Sequence, residues 1–305
     1  MKEIIKENNI KIPEDRILYN EPLSKHTSFR IGGNANKFII CNDEKELSYL
    51  LSVFKEKNEK HMLIGNGSNL LFSDEGYDGV IVKLGGIFEE ISVDGNKIHV
   101  GGAKLLSGTS SFACENSLTG MEFASGIPGS IGGAVYMNAG AYGSEMKNII
   151  EKVRVMSPDG QNIKEISCNS LDMSYRNSVL QKTGDIVLDV TLKLEKGNKI
   201  EISARISELS QKRNSKQPIN FPSAGSTFKR PTNGYAAALI DQSGLKGLSV
   251  GGAQVSEKHS GFVINKGGAT CNDVLTLMKK VRKKVYEDSG IILEPEIRII
   301  GEKFE

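Results

Sequence analysis

Between Gly120 and Gly143 the chain reads GMEFASGIPGSIGGAVYMNAGAYG, seven glycines in 24 residues with a single charged side chain, Glu122. This stretch is too apolar for a linker and too rich in glycine for a core element. Glycine has no Cβ, tolerates positive φ and leaves its N–H groups open. A loop of this kind can therefore lie directly against a phosphate or a flat ring system. No Walker lysine follows it, which argues against a P-loop.

A second such loop precedes it. His61 to Gly79 reads HMLIGNGSNLLFSDEGYDG, so that Gly65-Asn66-Gly67-Ser68-Asn69 directly follows a short apolar run. A tight turn there points successive N–H groups outward as an anion-binding nest, with the Ser68 and Asn69 side chains as further donors for a pyrophosphate. Leu70 and Leu71 stand where a Rossmann fingerprint needs its third glycine, and no acidic residue follows at the required distance. Alone, the motif is compatible with an ordinary strand-to-loop turn. Together, the two loops read as holding one dinucleotide between them.

Size and charge bound the rest. At 305 residues and 38% hydrophobic content, two or three domains with a substantial core are expected. No apolar run approaches the roughly 18 residues a membrane span needs. The start, MKEIIKENNIKIPEDR, is charged throughout and has no signal-peptide apolar region, so the expected location is the cytoplasm. Cys41, Cys114, Cys168 and Cys271 lie more than 50 residues apart with no CxxC pair, which points to free thiols rather than a zinc site or a disulfide framework. His26, His61, His99 and His259 show no metal-ligand spacing, so no metal is expected. A net charge of +2 gives no push towards nucleic acid or membrane, and nothing marks an obligate protein partner.

Patterning predicts an α+β chain. Leu47, Leu50, Leu51 and Phe54 recur at helical spacing within Asp43–Asn58, with Asp43 and Glu46 placed as a capping pair. Strands at Phe38–Cys41, His61–Ile64 and Gly79–Leu84 around that helix give a βαβ-type unit. Asp94-Gly95 and Pro158-Asp159-Gly160 mark two hairpins of a more antiparallel middle part. A strand-like run from Asp185 to Gly197 leads into a helical pattern with Ile202, Ile206 and Leu209. The segment QKRNSKQPINFPSAGS is then expected to break regular structure, with a domain boundary near residue 200. Beyond it come a helix at Tyr235–Gln242, strands near Ala253 and Val263, and a long helix with Val274, Leu277, Val281 and Val285 on one side. A closing strand, ILEPEIRII, ends the series.

Three further clusters carry chemistry. SAGSTFKRP holds Ser226 beside a glycine and ahead of Lys229 and Arg230; Tyr175-Arg176-Asn177-Ser178 adds a cation; Glu294-Pro295-Glu296-Ile297-Arg298 adds carboxylates. Read singly, each is as compatible with a turn serine, a surface ion pair or a strand residue facing water.

In order along nearly the whole chain, GNGSNLLFSD, GIPGSIGGAVYMNAGAYG, SYRNS, GSTFKRP, GGAQV and LEPEIRIIG resemble the UDP-N-acetylenolpyruvoylglucosamine reductase family, flavoenzymes of bacterial peptidoglycan precursor synthesis. The resemblance implies a two-lobed FAD-binding domain of the vanillyl-alcohol-oxidase type at 1–85 and 86–198, followed by a smaller α+β substrate domain at 199–305. It implies non-covalent FAD, NADPH as reductant and a nucleotide-sugar substrate. The cofactor contacts it suggests are Ile64, Gly65, Asn66, Gly67, Ser68 and Asn69 on one loop. On the other they are Gly126, Ile127, Pro128, Gly129, Gly132, Gly133, Asn138, Ala139 and Gly140.

Carried over residue by residue, Arg176 becomes the active-site arginine, Ser226 the proton donor and Glu296 the active-site glutamate. These types suit hydride addition to an enolpyruvyl C3: Arg176 can hold the carboxylate into which charge spreads, and Ser226 can protonate C2. A protonated Glu296 could donate a hydrogen bond to the enolate. Tyr175, Arg213, Lys216, Lys229 and Gln254 match substrate-contacting positions. Arg230 replaces the asparagine of one branch, whose tyrosine-bearing covering loop is missing here, so the chain resembles the shorter branch.

Two other classes compete. Ser226-Thr-Phe-Lys229 fits SxxK and Lys182-Thr183-Gly184 fits KTG, as in a Ser/Lys acyl-transfer enzyme, although KTG should follow the serine and SDN is missing. Gly247-Leu-Ser249-Val-Gly251 fits GxSxG without a strand–turn–helix around it. Lys279, Lys280, Arg282, Lys283 and Lys284 would serve a nucleic-acid-binding protein as the basic face of a helix, or simply be its solvated side.

Overall fold

The alternation of apolar positions turns into strands and helices much where periodicity places them. In the computed structural model, which describes residues 12–305, the strands are β1 (Ile17–Pro22), β2 (Asn34–Cys41), β3 (His61–Ile64), β4 (Leu70–Phe72), β5 (Tyr77–Leu84), β6 (Ile91–Asp94), β7 (Lys97–Gly101), β8 (Leu118–Thr119), β9 (Gly140–Ala141), β10 (Ser144–Glu145), β11 (Ile150–Met156), β12 (Ile163–Ser167), β13 (Ile186–Lys193), β14 (Glu195–Lys196), β15 (Ser249–Val250), β16 (Ala253–Val255), β17 (Val263–Asn265) and β18 (Arg298–Ile300). The helices are α1 (Glu44–Glu56), α2 (Leu106–Glu115), α3 (Ile131–Tyr136), α4 (Leu180–Thr183), α5 (Lys199–Lys216), α6 (Ala236–Gln242) and α7 (Cys271–Ser289). Residues 1–11 of the charged N-terminal stretch lie outside the described residues. Contacts divide the described residues into two units, one of residues 12–19, 37–66 and 79–211, the other of 20–36, 67–78 and 212–305.

In the first unit a four-stranded sheet has the order β1-β2-β5-β3. The chain passes from β2 through α1 to β3, which runs parallel to β5 with His61 opposite Val80 and Ile64 opposite Lys83. Helix α1 starts where the Asp43 carboxylate accepts from the Glu46 amide at 2.9 Å, and it buries Leu47, Leu50, Leu51 and Phe54. These pack with Ile39, Val80 and Val82 of the sheet. The capping pair is half of what the spacing suggests, because Glu46 turns instead to the Asn42 amide and to Arg16.

A five-stranded antiparallel sheet, β12-β11-β13-β7-β6, completes this unit. Its hairpins close at the two predicted turns, with Gly95 at φ 60° and Gly160 at φ 73°, conformations that favour glycine. Opposite Arg154–Val155 the register of β13 shifts. That irregularity lets Val187, Val190 and Leu192 face one core with α2 and α3 while Ile186 and Leu188 face the core of α1.

The second unit builds its core from remote stretches: Phe29, Ile31 and Leu71 join Ala224, Phe228 and the buried stripe of α7, Val274, Leu277, Val281 and Val285. Strands β15-β16-β17 form an antiparallel sheet and β4 pairs in parallel with β18. At the start of α7 the Thr270 side chain and Asp273 form a capping box, and Asp74 accepts from the Cys271 and Asn272 amides at 2.7 and 3.0 Å.

Three sequence expectations need correction. The glycine-rich stretch does contain a core element: α3, whose Ile131, Ala134 and Val135 are fully buried. Its glycines stand at positions 132 and 133, where there is little room for a larger residue on one side: a Cβ on Gly132 would come 3.1 Å from the Gly102 carbonyl. Regular structure does not break at Gln211, because α5 runs on to Lys216 and only Pro218, which cannot continue a helix, ends it. The closing strand is three residues, Arg298–Ile300, since Pro295 lacks the N–H for a longer ladder and contributes only an isolated bridge to Phe228.

Cys41, Cys114 and Cys271 are buried and unpaired, and burial pushes the Cys41 and Cys271 thiols up to about 12, so both stay protonated and inert. Among the described residues no helix is long and apolar enough to cross a membrane, and no cluster of His, Cys, Asp and Glu could hold a metal ion.

Candidate functional site

In the first unit the two glycine-rich loops meet. Strand β3 ends at buried Ile64, and the next residue, Gly65, lies so close to Ser130 that a Cβ there would come 2.3 Å from the hydroxyl oxygen. The Asn66 side-chain amide donates to the Pro128 carbonyl at 2.9 Å. Ser130, 3% exposed, caps α3 by accepting from the Gly133 amide at 3.3 Å. Backbone bonds anchor the loop from behind: Leu106 N donates to Gly129 O, Ile131 N to Lys104 O and Gly132 N to Gly102 O.

Gly65, Asn66, Gly126, Ile127, Pro128, Gly129, Gly132, Gly133, Ala139 and Gly140 consequently form a partly exposed strip of small residues and bare backbone over the buried layer of Ile131, Ala134 and Val135. A strip of bare backbone without charged side chains, on which position 65 has no room for even a Cβ beside Ser130, fits a flat ring system and its diphosphate. Asn138 is different. It is 1% exposed, its amide donates to Ser174 O at 3.1 Å, and its carbonyl oxygen accepts from the Lys147 amide at 3.0 Å.

The Tyr175–Arg176 pair sits in the same unit, on a turn in which Ser174 and Asn177 exchange both backbone hydrogen bonds at 3.1 Å. Arg176 has φ 55°, a left-handed conformation that costs an arginine roughly 1 kcal/mol or more, and its guanidinium stacks 5.1 Å from the Tyr175 ring centroid.

In the second unit Gly67, Ser68 and Asn69 belong to a turn at which Ser28 N donates to Gly67 O. Gly67 has φ 62°, and a Cβ there would strike the His26 carbonyl at 2.0 Å. Backbone pairing then brings three candidates of very different sequence position together. Glu296 N donates to the carbonyl of Thr227, the neighbour of Ser226, at 2.8 Å; the Asn69 side-chain Nδ2 donates to Glu296 O at 3.2 Å; Arg298 N donates to Asn69 O at 2.9 Å. Thr227 was not singled out by the sequence, yet it is the pin: buried to 2%, it donates its amide to Gly261 O and accepts on its hydroxyl from Val263 N. Ser226 and Glu296 are half-buried, and among the described residues the Ser226 hydroxyl forms no hydrogen bond within the chain.

The weaker candidates are dispersed. Gln254 on β16 donates to Gly247 O and Ser249 Oγ; Lys229 pairs with Glu294 at 3.3 Å in an exposed position; Arg213 and Lys216 occupy the last turn of α5. Burial, with smaller contributions from Lys246 and Lys216, holds the His259 imidazole below its ordinary value.

The competing motifs lose their chemistry in this setting. The backbone of Lys229 is paired with Glu294, so the SxxK sequence lies on an extended segment rather than one turn of helix, and KTG is the end of α4. The GxSxG sequence straddles strand β15 of a small hairpin. On α7, Lys283 and Lys284 pair with Glu287 and Asp288, and Arg282 stacks on Phe304, as on an ordinary solvated face.

Residues 35–164 match a family model described as an FAD binding domain, and residues 217–300 match one described as UDP-N-acetylenolpyruvoylglucosamine reductase, C-terminal domain. A reductase of that name from Lachnoclostridium phytofermentans is 48% identical over 304 residues, covering 98% of each chain. Another, from Caldanaerobacter subterraneus subsp. tengcongensis, is 48% identical over 303 residues, covering 99% of this chain and 97% of its own. The crystal structure of the UDP-N-acetylenolpyruvylglucosamine reductase from Thermus caldophilus superposes with a TM-score of 0.80 at 35% identity, over 93% of this chain and 98% of that one.

Proposed function

The chain belongs to the UDP-N-acetylenolpyruvoylglucosamine reductase family and is an FAD-binding oxidoreductase of that type; from that premise we propose that it reduces UDP-N-acetylglucosamine enolpyruvate to UDP-N-acetylmuramate with electrons from NADPH. The observation that carries the proposal is the near-complete, 48% identical match to reductases so named. FAD bound there without a covalent link would supply the hydride chemistry, with NADPH as the reductant and C3 of the enolpyruvyl group as the acceptor.

The glycine strip at 65–66, 126–129, 132–133 and 139–140, with Ile64, Gly67, Ser68 and Asn69, holds that cofactor. Asn138 contributes from behind the strip. Arg176 binds the substrate carboxylate, where charge grows as C3 receives hydride, through charge-assisted hydrogen bonds. Ser226 delivers the proton to C2, its weak acidity offset by the high basicity of an α-carboxylate carbanion and by its position. Glu296, carrying a proton, donates to the developing enolate. Tyr175, Arg213, Lys216, Lys229 and Gln254 contact the nucleotide-sugar, the cations beside its diphosphate.

In domain terms we assign 1–85 and 86–198 to the two lobes around FAD and 199–305 to the substrate domain. A nucleotide-sugar and NADPH as reactants place the reaction in the cytoplasm, with no nucleic acid or protein partner required. The test is an absorbance spectrum of the purified protein with FAD. Bands at about 450 nm should bleach under anaerobic NADPH and return on adding the enolpyruvyl nucleotide-sugar. Protein that binds no flavin, or that NADPH does not bleach, defeats the proposal.

A further inference from the structure

The turn that carries Arg176 is held from one side by a side chain that neither of its motifs contains. Arg176 sits at φ 55° in the third position of the Ser174–Asn177 turn, where glycine is the usual residue because it bears no Cβ. A strained arginine persists only where its surroundings over-determine it. Here the Gln181 Nε2 group donates to the Arg176 carbonyl at 2.9 Å and to the Tyr136 carbonyl at 3.0 Å. One amide NH2 has two hydrogens, and both have an acceptor. Tyr136 is the last residue of α3, so its carbonyl is among those a helix end leaves unsatisfied. The Ser178 hydroxyl donates to that same carbonyl at 2.8 Å. The other end of the turn is fixed too, with Asn138 Nδ2 on Ser174 O at 3.1 Å and Lys147 Nζ on Met173 O at 3.2 Å.

We propose that Gln181 is a positioning residue for Arg176, clamping the peptide plane after Arg176 to the end of the glycine-rich helix so that the guanidinium keeps one direction. The inference rests on the reading of Arg176 as the group that binds the substrate carboxylate. Without the clamp the Arg176–Asn177 peptide is free to turn, the residue relaxes out of the left-handed region, and the Cα–Cβ bond swings the guanidinium with it. The clamp reaches only the second half of the reaction, because hydride transfer from NADPH precedes any contact between Arg176 and substrate. It also links the two functional parts of this unit, since the helix at one end of the clamp begins at Ser130, beside Gly65.

The test uses Gln181→Met, which keeps the length of the side chain and removes both donors. The variant should retain FAD and be reduced by NADPH at the wild-type rate. Its flavin colour should return about tenfold more slowly on adding the enolpyruvyl nucleotide-sugar, the rate equivalent of one neutral hydrogen bond. In an Arg176→Lys background, already slow in that step, adding Gln181→Met should change the rate less than twofold, because both substitutions disable the same group. A normal rate of colour return, an equal slowing of both half-reactions, loss of FAD on purification, or an undiminished tenfold loss on top of Arg176→Lys each overturns the proposal. Wild-type protein that NADPH fails to bleach would instead defeat the functional reading on which it rests.

Discussion

The Asn66 side-chain amide donates to the Pro128 carbonyl at 2.9 Å, joining loops 62 residues apart in the chain. Neither loop could be assigned to a ligand by its own pattern. Joined, with Gly65 against Ser130, they present one continuous strip of bare backbone.

Gly65→Ala should strip the flavin. The added Cβ would lie 2.3 Å from the Ser130 hydroxyl oxygen, so either that hydroxyl turns away and gives up its cap on the Gly133 amide or one loop moves away from the other. The purified variant should have FAD affinity at least about tenfold weaker, read from the flavin-to-protein absorbance ratio and by titration, a loss of about 1.4 kcal/mol. Gly143→Ala, at the tip of the same stretch with nothing within 4 Å of its Cβ position but φ 85°, should leave flavin affinity within about twofold of wild type and affect only stability. Equal flavin loss in both variants would mean that the contact at Ser130 is irrelevant.

Ser226→Ala should separate the two half-reactions. Proton delivery to C2 belongs only to substrate reduction, so stopped-flow bleaching by NADPH should be unchanged while reoxidation by the enolpyruvyl substrate falls by 10² or more. Its neighbour Thr227, pinned to Gly261 and Val263, carries the local fold. Thr227→Val should therefore lower thermal stability in both the free and the substrate-bound protein. Equal loss of both half-reactions in Ser226→Ala would assign Ser226 to the fold instead.

Arg176→Gly should gain stability while losing activity. Relief of the left-handed strain at φ 55° outweighs the lost stacking on Tyr175, giving a net gain of about 0.5–1 kcal/mol and a melting temperature higher by roughly 1–3 °C. Arg176→Val, β-branched at the same φ, should lower it. A melting temperature that falls in Arg176→Gly would show that the side chain, not the backbone, dominates at this position.

Acid sensitivity should trace in part to Glu46. Burial works against its carboxylate, but hydrogen bonds from Arg16 and the Asn42 amide outweigh that and hold it below its ordinary value of 4.5. A folded value below the unfolded one contributes stability that is complete above the unfolded value and is lost as the pH falls through the folded one. Urea midpoints of the wild type should therefore decline below about pH 4.5 more steeply than those of Glu46→Gln. The variant itself should be about 2 kcal/mol less stable at pH 7, between the surface and buried limits for breaking one partner of an ion pair. Parallel pH curves for the two proteins would remove Glu46 from the account.

Local elements were largely legible because they depend on neighbours in the chain. The α1 stripe, the strand at His61–Ile64, the two glycine hairpins and the α7 stripe follow from periodicity and turn chemistry alone. Where the reading missed, a non-local partner was responsible. Helix α3 forms among glycines because Ser130 caps it and Gly102, Lys104 and Leu106 take up its flanking backbone groups. The C-terminal strand is short because Pro295 removes a donor, and Glu296 bonds instead to Thr227.

The sequence by itself determined the α+β class, the two glycine-rich loops and, through six ordered motifs, the family. Glycine content, apolar spacing and residue order are properties a chain carries before it folds. Only the tertiary structure decided that Asn66 meets Pro128, that Asn69 and Glu296 are joined through backbone to Thr227, and that Gln181 and Asn138 hold the turn of Arg176. Each is a hydrogen bond between groups separated by long loops or set on different elements. Such a bond depends on the distance and angle that packing imposes, and residue identity carries neither.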